Sequence, residues 1–522
     1  MKSWYCLLAC LISFQAAAQV PAYGPSLKVM SFNLRLDVAS DGYNAWPHRK
    51  DLVKTLIDHH QLDLLGVQEA LPHQVEELKT LFPYLTFVGQ PRDTGRWGET
   101  AAIGYRASRL TFLEGGTFWL SETPDQMSKG WDAALNRTVS WGKFADKKSG
   151  HHFFHFNTHF DHRGEVARLE SARLIIREMA RLNPEQLPAL LTGDFNATPE
   201  SAPIQALLTE EAAVKDAMHE SVWPSLGPES TWSGFKFPGE PGRRIDYVFV
   251  QGSPAVLRHA ILTDSWSGRF PSDHLPVLAE VLLNPPQAIP QAHAHNDYEH
   301  EEPLWEALRA GFTQVEADVW AIDGALYVKH GRPVKLADTP TLQELYLDPL
   351  RDLVESYNGQ IFPGQEVAFR LMIDIKSGAA ETYELLRQAL RPYRFLFVGE
   401  KAPVVIFLSG NRPVQQVLEA EDDGLALDGR PGDLGKGIPV EKMPVVSDTY
   451  RKWLSWKGKG ALSPVEETKL KSLVLLTHAE GKLLRLWASP DKPEVWAKLL
   501  ELGVDFVNTD DLKGFSTFMW EK

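Results

Sequence analysis

The chain is almost without cysteine. Its 522 residues contain two, Cys6 and Cys10, both inside the first ten positions. Thiol catalysis, a disulfide framework and cysteine zinc sites are therefore excluded for everything that follows. Beyond the N-terminus the chain also has no run approaching the roughly 18 apolar residues that a bilayer crossing needs. A basic excess is missing too: 54 Lys and Arg stand against 68 Asp and Glu, a net charge of −14. What remains is the composition of an ordinary globular protein, 43% hydrophobic and 23% charged. A length of 522 residues is too great for one core and predicts two domains.

The N-terminus reads as a secretory signal over residues 1–18. Lys2 supplies the positive start, Trp4 to Phe14 the apolar stretch, and Ala16-Ala17-Ala18 the small residues before cleavage at Gln19. A lipoprotein reading through Leu7-Leu8-Ala9-Cys10 is the alternative, but the apolar stretch before Cys10 is too short for it. The expectation is an exported protein, periplasmic or extracellular. Without Lys2 the mature chain carries 53 basic and 68 acidic side chains, a net −15. Residues 26–283 hold 26 basic and 32 acidic side chains, so −6 lies there and −9 in the remainder. Neither half has the positive footprint of a protein that grips long nucleic acids. A nucleic-acid partner is thus disfavoured by charge. No sequence feature specifies an oligomeric state.

Asn284 to Pro290, with prolines at 285, 286 and 290, reads as a short stiff linker. Before it, strand-like runs at Leu27–Phe32, Leu62–Val67, Phe153–Thr158, Ala189–Thr192 and Ile245–Val250 alternate with helical patterns at Arg49–His59 and Val166–Arg181. Between Thr100 and Phe144 short alternating runs dominate, which predicts antiparallel pairing and a mixed β-sandwich with helices outside. After the linker, about eight strands alternate with helices, the count of a (β/α)8 barrel. The run Lys452–Lys459, with Trp453 and Trp456, reads as a surface helix with one tucked Trp, or as a lipid-facing patch.

The motifs of the first half end apolar runs with acids, amides and histidines. Glu69 closes Leu64-Leu65-Gly66-Val67-Gln68, where a carboxylate can hold a hard cation such as Mg2+ while its neighbours are buried. Asn33 closes another strand and can orient the metal or a phosphate oxygen. Asp194 and Asn196, two apart, project to one side of an extended segment. There Asp194 can orient the attacking water and Asn196 can donate to phosphate. His159 can donate to a non-bridging oxygen as charge builds. In Asp273-His274 the acid keeps the imidazole basic enough to activate water, and Asp246 is an alternative partner. Arg137 and Arg163 are candidate phosphate clamps, although an Arg in a loop is more often solvated.

Taken together, SFNLR, GVQEA, NTHFDH, TGDFNA, RIDYVFV and PSDHLPV resemble the endonuclease/exonuclease/phosphatase superfamily over residues 26–283. That superfamily includes deoxyribonuclease I, abasic-site endonucleases, deadenylases, inositol-phosphate phosphatases and neutral sphingomyelinases. The resemblance implies a four-layer α/β/β/α sandwich of deoxyribonuclease I type and a Mg2+ or Mn2+ centre. It also gives Asn33, Glu69, His159, Asp194, Asn196, Asp246, Asp273 and His274 the family's roles. Arg35 replaces the acid of abasic endonucleases, and THFD suits the phosphatase, deadenylase and sphingomyelinase branches better.

In the second half, residues 291–522, Glu316 and Asp318 are two apart on a strand and face one way, so they repel unless a cation lies between them. His295 and His330 end neighbouring runs, and Asp374 and Lys376 repeat the spacing. A metal on Glu316, Asp318 and Asp374, with one His as base and the other as acid, is equipped to cleave a phosphodiester. The pattern resembles the phosphatidylinositol-phospholipase-C-like barrels, which include glycerophosphodiester phosphodiesterases. AHNDY, VEADVW and TLQELYLDPL look similar to a fungal mitochondrial-inheritance family. This resemblance implies a TIM barrel with Mg2+ or Ca2+. Asn296-Asp297 stand where glycerophosphodiesterases carry Arg, which counts against that specificity.

The whole chain thus reads as an exported two-domain phosphoesterase acting on phosphoinositide, glycerophosphodiester or sphingolipid head groups. The alternatives are an extracellular nuclease with an accessory barrel, and a ligand-binding protein with an inactive barrel.

Overall fold

The computed structural model describes residues 23–236, 243–421 and 423–522; the expected signal segment, with Cys6 and Cys10, lies outside them. Two six-stranded sheets make the first domain. In spatial order one runs Ala255–Ile261, Val277–Leu282, Leu27–Asn33, Leu64–Gln68, Ile103–Arg106, Leu85–Val88. The other runs Leu110–Trp119, Thr138–Asp146, His152–His159, Ala189–Asp194, Asp246–Gln251, Val214–Asp216. Alternation sends one set of apolar side chains inward, where Val29, Leu64, Phe144, Phe153 and Val248 share a core between the sheets. The other set meets helices. Met30, Phe32 and Val67 pack with Val53, Leu56 and Leu78 of helices Lys50–His60 and Pro72–Leu81. Phe154, Phe156 and Leu191 pack with Ala172, Ile175 and Met179 of helix Glu165–Leu182. These are the four layers that the resemblance implied, and the expected antiparallel stretch is the Leu110–Trp119/Thr138–Asp146 pair.

The inter-sheet core also holds a polar cluster. Gln68 donates to Asn157 Oδ1 at 2.8 Å, Thr192 donates to the same atom at 2.9 Å, and Asn157 donates to the carbonyls of Val67 and Ala102. Gly66 lets the sheets approach: a Cβ there would lie 2.2 Å from Thr192 Oγ1 and 2.5 Å from Asn157 Oδ1. Gly66→Ala is expected to destabilise the first domain by about 3 kcal/mol, since overpacking and a disturbed buried network act together. Urea midpoints decide this; an unchanged midpoint would show that the sheets can part at no cost.

His155 joins this cluster through Thr192 Oγ1 at 2.9 Å, and its Nδ1 has no partner. Burial pushes its pKa down to about 3. Its folded value lies below the unfolded one near 6.5, so protonation favours the unfolded chain. Stability is complete above about pH 6.5 and falls as the pH drops towards 3. The expected loss from His155 is about 2 kcal/mol between pH 7 and pH 5. His155→Gln should flatten that part of a stability-against-pH curve.

Eight parallel strands close the second domain: Ile289–Ala294, Phe312–Ile322, Phe369–Ile375, Val404–Gly410, Leu425–Gly429, Val445–Thr449, Leu483–Trp487 and Phe506–Thr509. Closure is made by Ala292 opposite Val507 and His293 opposite Gln314. The result is a TIM barrel whose interior is filled by Met372, Phe407, Ala426, Val445 and Phe506. Ala325–Val328 adds an antiparallel hairpin strand that carries His330 just past its end. The first barrel strand starts at Ile289, inside the expected linker; Pro290 cannot donate, and the register shifts there. The remaining linker is tied down by Gln365, which accepts from Ala288 N and donates to Pro286 O, each at 2.9 Å. A π-turn, Gln343–Leu347, leads into the regular helix Asp348–Ser356, with Pro349 in its first turn. Lys452–Lys459 is not a helix over its length, and Trp453 donates its indole N–H to Asp448 at 3.1 Å.

Candidate active sites

The first centre collects the ends of five segments. Asn33, His159 and Asp194 are each the last residue of a strand, and Asp246 is the first residue of one, directly opposite Asp194. Glu69 follows strand Leu64–Gln68 with φ +60°, a conformation that turns its carboxylate back over the cleft. Asn33 Nδ2 donates to Asp194 Oδ2 at 2.8 Å and to Glu69 Oε1 at 3.0 Å, so one amide holds both acids. Asn196, also left-handed at φ +47°, donates its N–H to Asp194 Oδ1 at 2.9 Å and places its amide 3.2 Å from His159 Nε2.

His274 is buried, with Nδ1 2.8 Å from Asp246 Oδ2 and Nε2 3.8 Å from Asp194 Oδ2. Burial alone would lower its pKa, but Asp246 and Asp194 outweigh burial and hold it well above the ordinary value. Asp194 is pushed up to about 7 by burial and by the charge of Asp246. The imidazole thus bonds to Asp246 and stands within ion-pairing reach of Asp194. His159 is held well below its ordinary value by burial and by Arg137 and Arg92.

The sequence pairing of Asp273 with His274 is corrected by the structure. Asp246 is the partner; the Asp273 carboxylate lies 3.8 Å from Arg35 Nε, and its carbonyl accepts from Ser233 and Gly234. Adjacent residues on an extended segment point apart, which is why the neighbour in sequence loses to a residue 28 positions away. Arg137 is buried beside His162 Nδ1 at 3.1 Å and Asp161 at 3.5 Å, close to His159's surroundings. Arg163 is not brought to the cleft: its side chain is exposed, and its backbone N–H caps Asp161. Sequence reasoning missed Glu99, whose Oε2 lies 3.7 Å from His159 Nδ1 and whose Oε1 pairs with Arg92 at 2.7 Å. Burial pushes Glu99 up to about 6. Its only signal was an acid beside a Gly in RWGET.

The second centre lies in the barrel. Asp318 and Asp374 are in register on neighbouring strands, and Glu316 stands two residues below Asp318. Ligand atoms of the three acids lie within 4.8 Å of one another. Asp318 Oδ2 receives Lys376 Nζ at 3.0 Å, His330 Nδ1 at 3.0 Å and the Tyr298 hydroxyl at 2.8 Å. Lys376 also reaches Asp374 at 3.1 Å, while burial pushes Asp374 up. Glu316 is held down at about 2: His293 and Arg485, each at 3.4 Å, outweigh burial. His295 follows the first strand and bonds through Nδ1 to Asp510 at 2.7 Å. Asn296 turns left-handed, φ +46°, and Asp297 is buried, accepting from Leu304 N–H and Tyr346 O–H; that departure from the glycerophosphodiesterase pattern is a structural cap. Asp510, Tyr298 and Arg485 were missed, although an Arg inside the apolar strand LLRLW signals a buried acid to pair with.

Both centres fit a divalent cation. Glu69, His159 and Asp194 form one compact donor group, and Asp194, Asp246 and His274 a second beside it. Asp318 Oδ1 is buried without a hydrogen-bond partner, as an oxygen facing a cation would be. Glu69 and Asp194 would hold the ion in the first domain, and Glu316, Asp318 and Asp374 in the barrel. Bound there, a divalent ion polarises the phosphoryl oxygen and lowers the pKa of water.

Residues 30–274 match the model of the Endonuclease/Exonuclease/phosphatase family. Residues 286–423 match that of the AIM6-like phosphodiesterase domain, and residues 484–513 that of the Glycerophosphoryl diester phosphodiesterase family. Among solved structures, an endonuclease/exonuclease/phosphatase family protein of Bacteroides thetaiotaomicron is 37% identical, covering 50% of this chain and 99% of its own, with a TM-score of 0.48. A mannosyl-6-phosphatase of the same organism is also 37% identical, covering 49% of this chain and 100% of its own, with a TM-score of 0.48. Altered inheritance of mitochondria protein 6 of Kluyveromyces lactis is 29% identical over 323 residues, 48% of this chain and 76% of that protein. Divalent-metal dependence is typical of the first family. The chain is a phosphoric ester hydrolase in which an endonuclease/exonuclease/phosphatase family domain is followed by a phosphodiesterase-like TIM barrel.

Proposed function

We propose that this enzyme is exported and hydrolyses small or lipid-derived phosphoesters, chiefly phosphodiesters, at two metal centres. Phosphoinositide, glycerophosphodiester and sphingolipid head groups are the substrate class, with Mg2+ or Mn2+ in the first domain and Mg2+ or Ca2+ in the barrel. The observation that carries the reading is the duplication of a carboxylate cluster with its own imidazole, built twice from unrelated topology in one acidic chain. A nuclease needs free cations along a groove, but those around the first centre are committed: Arg35 to Asp41 at 3.0 Å, Arg92 to Glu99 at 2.7 Å and Arg137 to Asp161 at 3.5 Å.

The test is turnover of a panel with and without EDTA: glycerophosphoinositol, phosphatidylinositol, sphingomyelin, DNA, RNA and mannose 6-phosphate. Small or lipid phosphodiesters should dominate and should stop in EDTA. His274→Ala and His330→Ala should remove separate activities. Dominant DNA or RNA loss requiring His274 would establish the nuclease reading instead, and dominant mannose 6-phosphate turnover a phosphomonoesterase. A barrel indifferent to His330→Ala on every substrate would be a binding module. Export predicts a secreted chain beginning at Gln19; a lipid-modified Cys10 would mark a lipoprotein.

A further inference from the structure

The floor of the barrel, opposite its carboxylates, contains a cavity of about 450 Å³, within the range of small-ligand sites. Strand register orders the layers above it. Gln314 lies beside Arg370, Glu316 beside Met372 and Asp318 beside Asp374. Alternation puts all six on the interior face, with Gln314 and Arg370 one layer beneath Glu316 and two beneath Asp318 and Asp374. Arg370 lines the cavity, yet its guanidinium has only a 3.4 Å contact to the Ala368 carbonyl and a ring beneath it, Phe506 at 5.3 Å. Among the described residues no carboxylate reaches ion-pairing distance of it. Asp505, which also lines the cavity, is occupied by His478 Nε2 at 2.8 Å and Leu484 N–H at 2.7 Å.

Gln314 adds an independent observation. It is fully buried, and neither its amide nitrogen nor its amide oxygen has a partner. Gln314 is not itself a wall residue of the cavity, but its register partner Arg370 is, so the polar layer next to the cavity has hydrogen-bonding capacity that the fold leaves unused. Leu483, Leu500, Val504, Phe506 and Met519 supply an apolar wall, and Lys522 adds a second cation at the rim. A planar guanidinium beside an apolar wall recognises a forked oxyanion on a short hydrocarbon body.

We propose that the barrel floor is a second binding site, separate from both metal centres, for a small amphiphilic anion whose carboxylate or phosphate head meets Arg370. The proposal is independent of the substrate assigned to either centre.

The full chain is titrated calorimetrically with octanoate and with octyl phosphate, with octanol and octylammonium alongside. At least one anion should bind in the micromolar to low millimolar range, and the two arms decide between carboxylate and phosphate. Arg370→Gln should weaken that binding at least tenfold, while hydrolysis at both centres is retained. Should Arg370→Gln not fold, Met519→Trp, which fills the cavity, must abolish the same binding. The proposal is overturned if neither anion binds, if octanol binds as well as the anions, or if Arg370→Gln or Met519→Trp leaves the titration unchanged.

Discussion

His274→Ala should lower hydrolysis at the first centre about a thousandfold, the middle of the range for loss of a positioned acid–base group. The imidazole lies between Asp246, at 2.8 Å, and Asp194, at 3.8 Å, so its removal takes away the cation between them and leaves two buried acids facing each other. Asp246→Asn keeps the shape but removes the charge that raises His274; the expected loss is about a hundredfold. Its rate profile should also shift, because the imidazole loses its proton at a lower pH than in the wild type. Asp273→Asn, next to His274 in the chain, should cost no more than a few fold, since its carbonyl makes the contacts to Ser233 and Gly234. The comparison is made on kcat/KM at saturating metal, with metal content measured for each variant. Equal losses in Asp273→Asn and His274→Ala would contradict the pairing.

The second large effect is expected at Asp318. Its buried carboxylate gathers Lys376, His330 and Tyr298 onto one oxygen and leaves the other free beside Glu316 and Asp374. Asp318→Asn is nearly isosteric, yet it removes a metal-facing charge. Barrel turnover should fall about a thousandfold, several kcal/mol of transition-state charge stabilisation. Titration should show metal binding by the barrel weakened, while activity at the first centre is untouched. His330→Ala should lower turnover with metal affinity kept, because His330 is largely exposed and leans on Asp318 without sharing the metal-facing side. Matching losses of metal affinity in the two variants would mean that His330 is itself a ligand.

The two centres were unequally legible in the sequence. Glu316, Asp318, Asp374 and Lys376 could be read because strand period fixes which side a carboxylate faces, and neighbouring parallel strands repeat the spacing. Glu69 and Asn196 could be suspected from their motifs, but their left-handed backbones decide where they point. Glu99 could not be ranked above other acids, because its meaning comes from Arg92 and His159, 7 and 60 residues away. Arg137 and Arg163 looked alike as loop arginines; burial beside Asp161 separates the first from the second. In the barrel, exposed leucines such as Leu475 and Leu476 blur the helical stripe of Pro464–Ala479.

Local chemistry, then, sufficed for the two α/β domains, their order, and the presence of two acid–histidine sets, since periodicity and motif order are written along the chain. The partner of each histidine was settled only in three dimensions. Asp246 reaches His274 because strand Asp246–Gln251 runs antiparallel to Ala189–Asp194 and brings both acids to one sheet end. Asp510 reaches His295 because the barrel closes its last strand against its first. Pairing across a sheet depends on which strands become neighbours, and that choice belongs to the packing of the whole core.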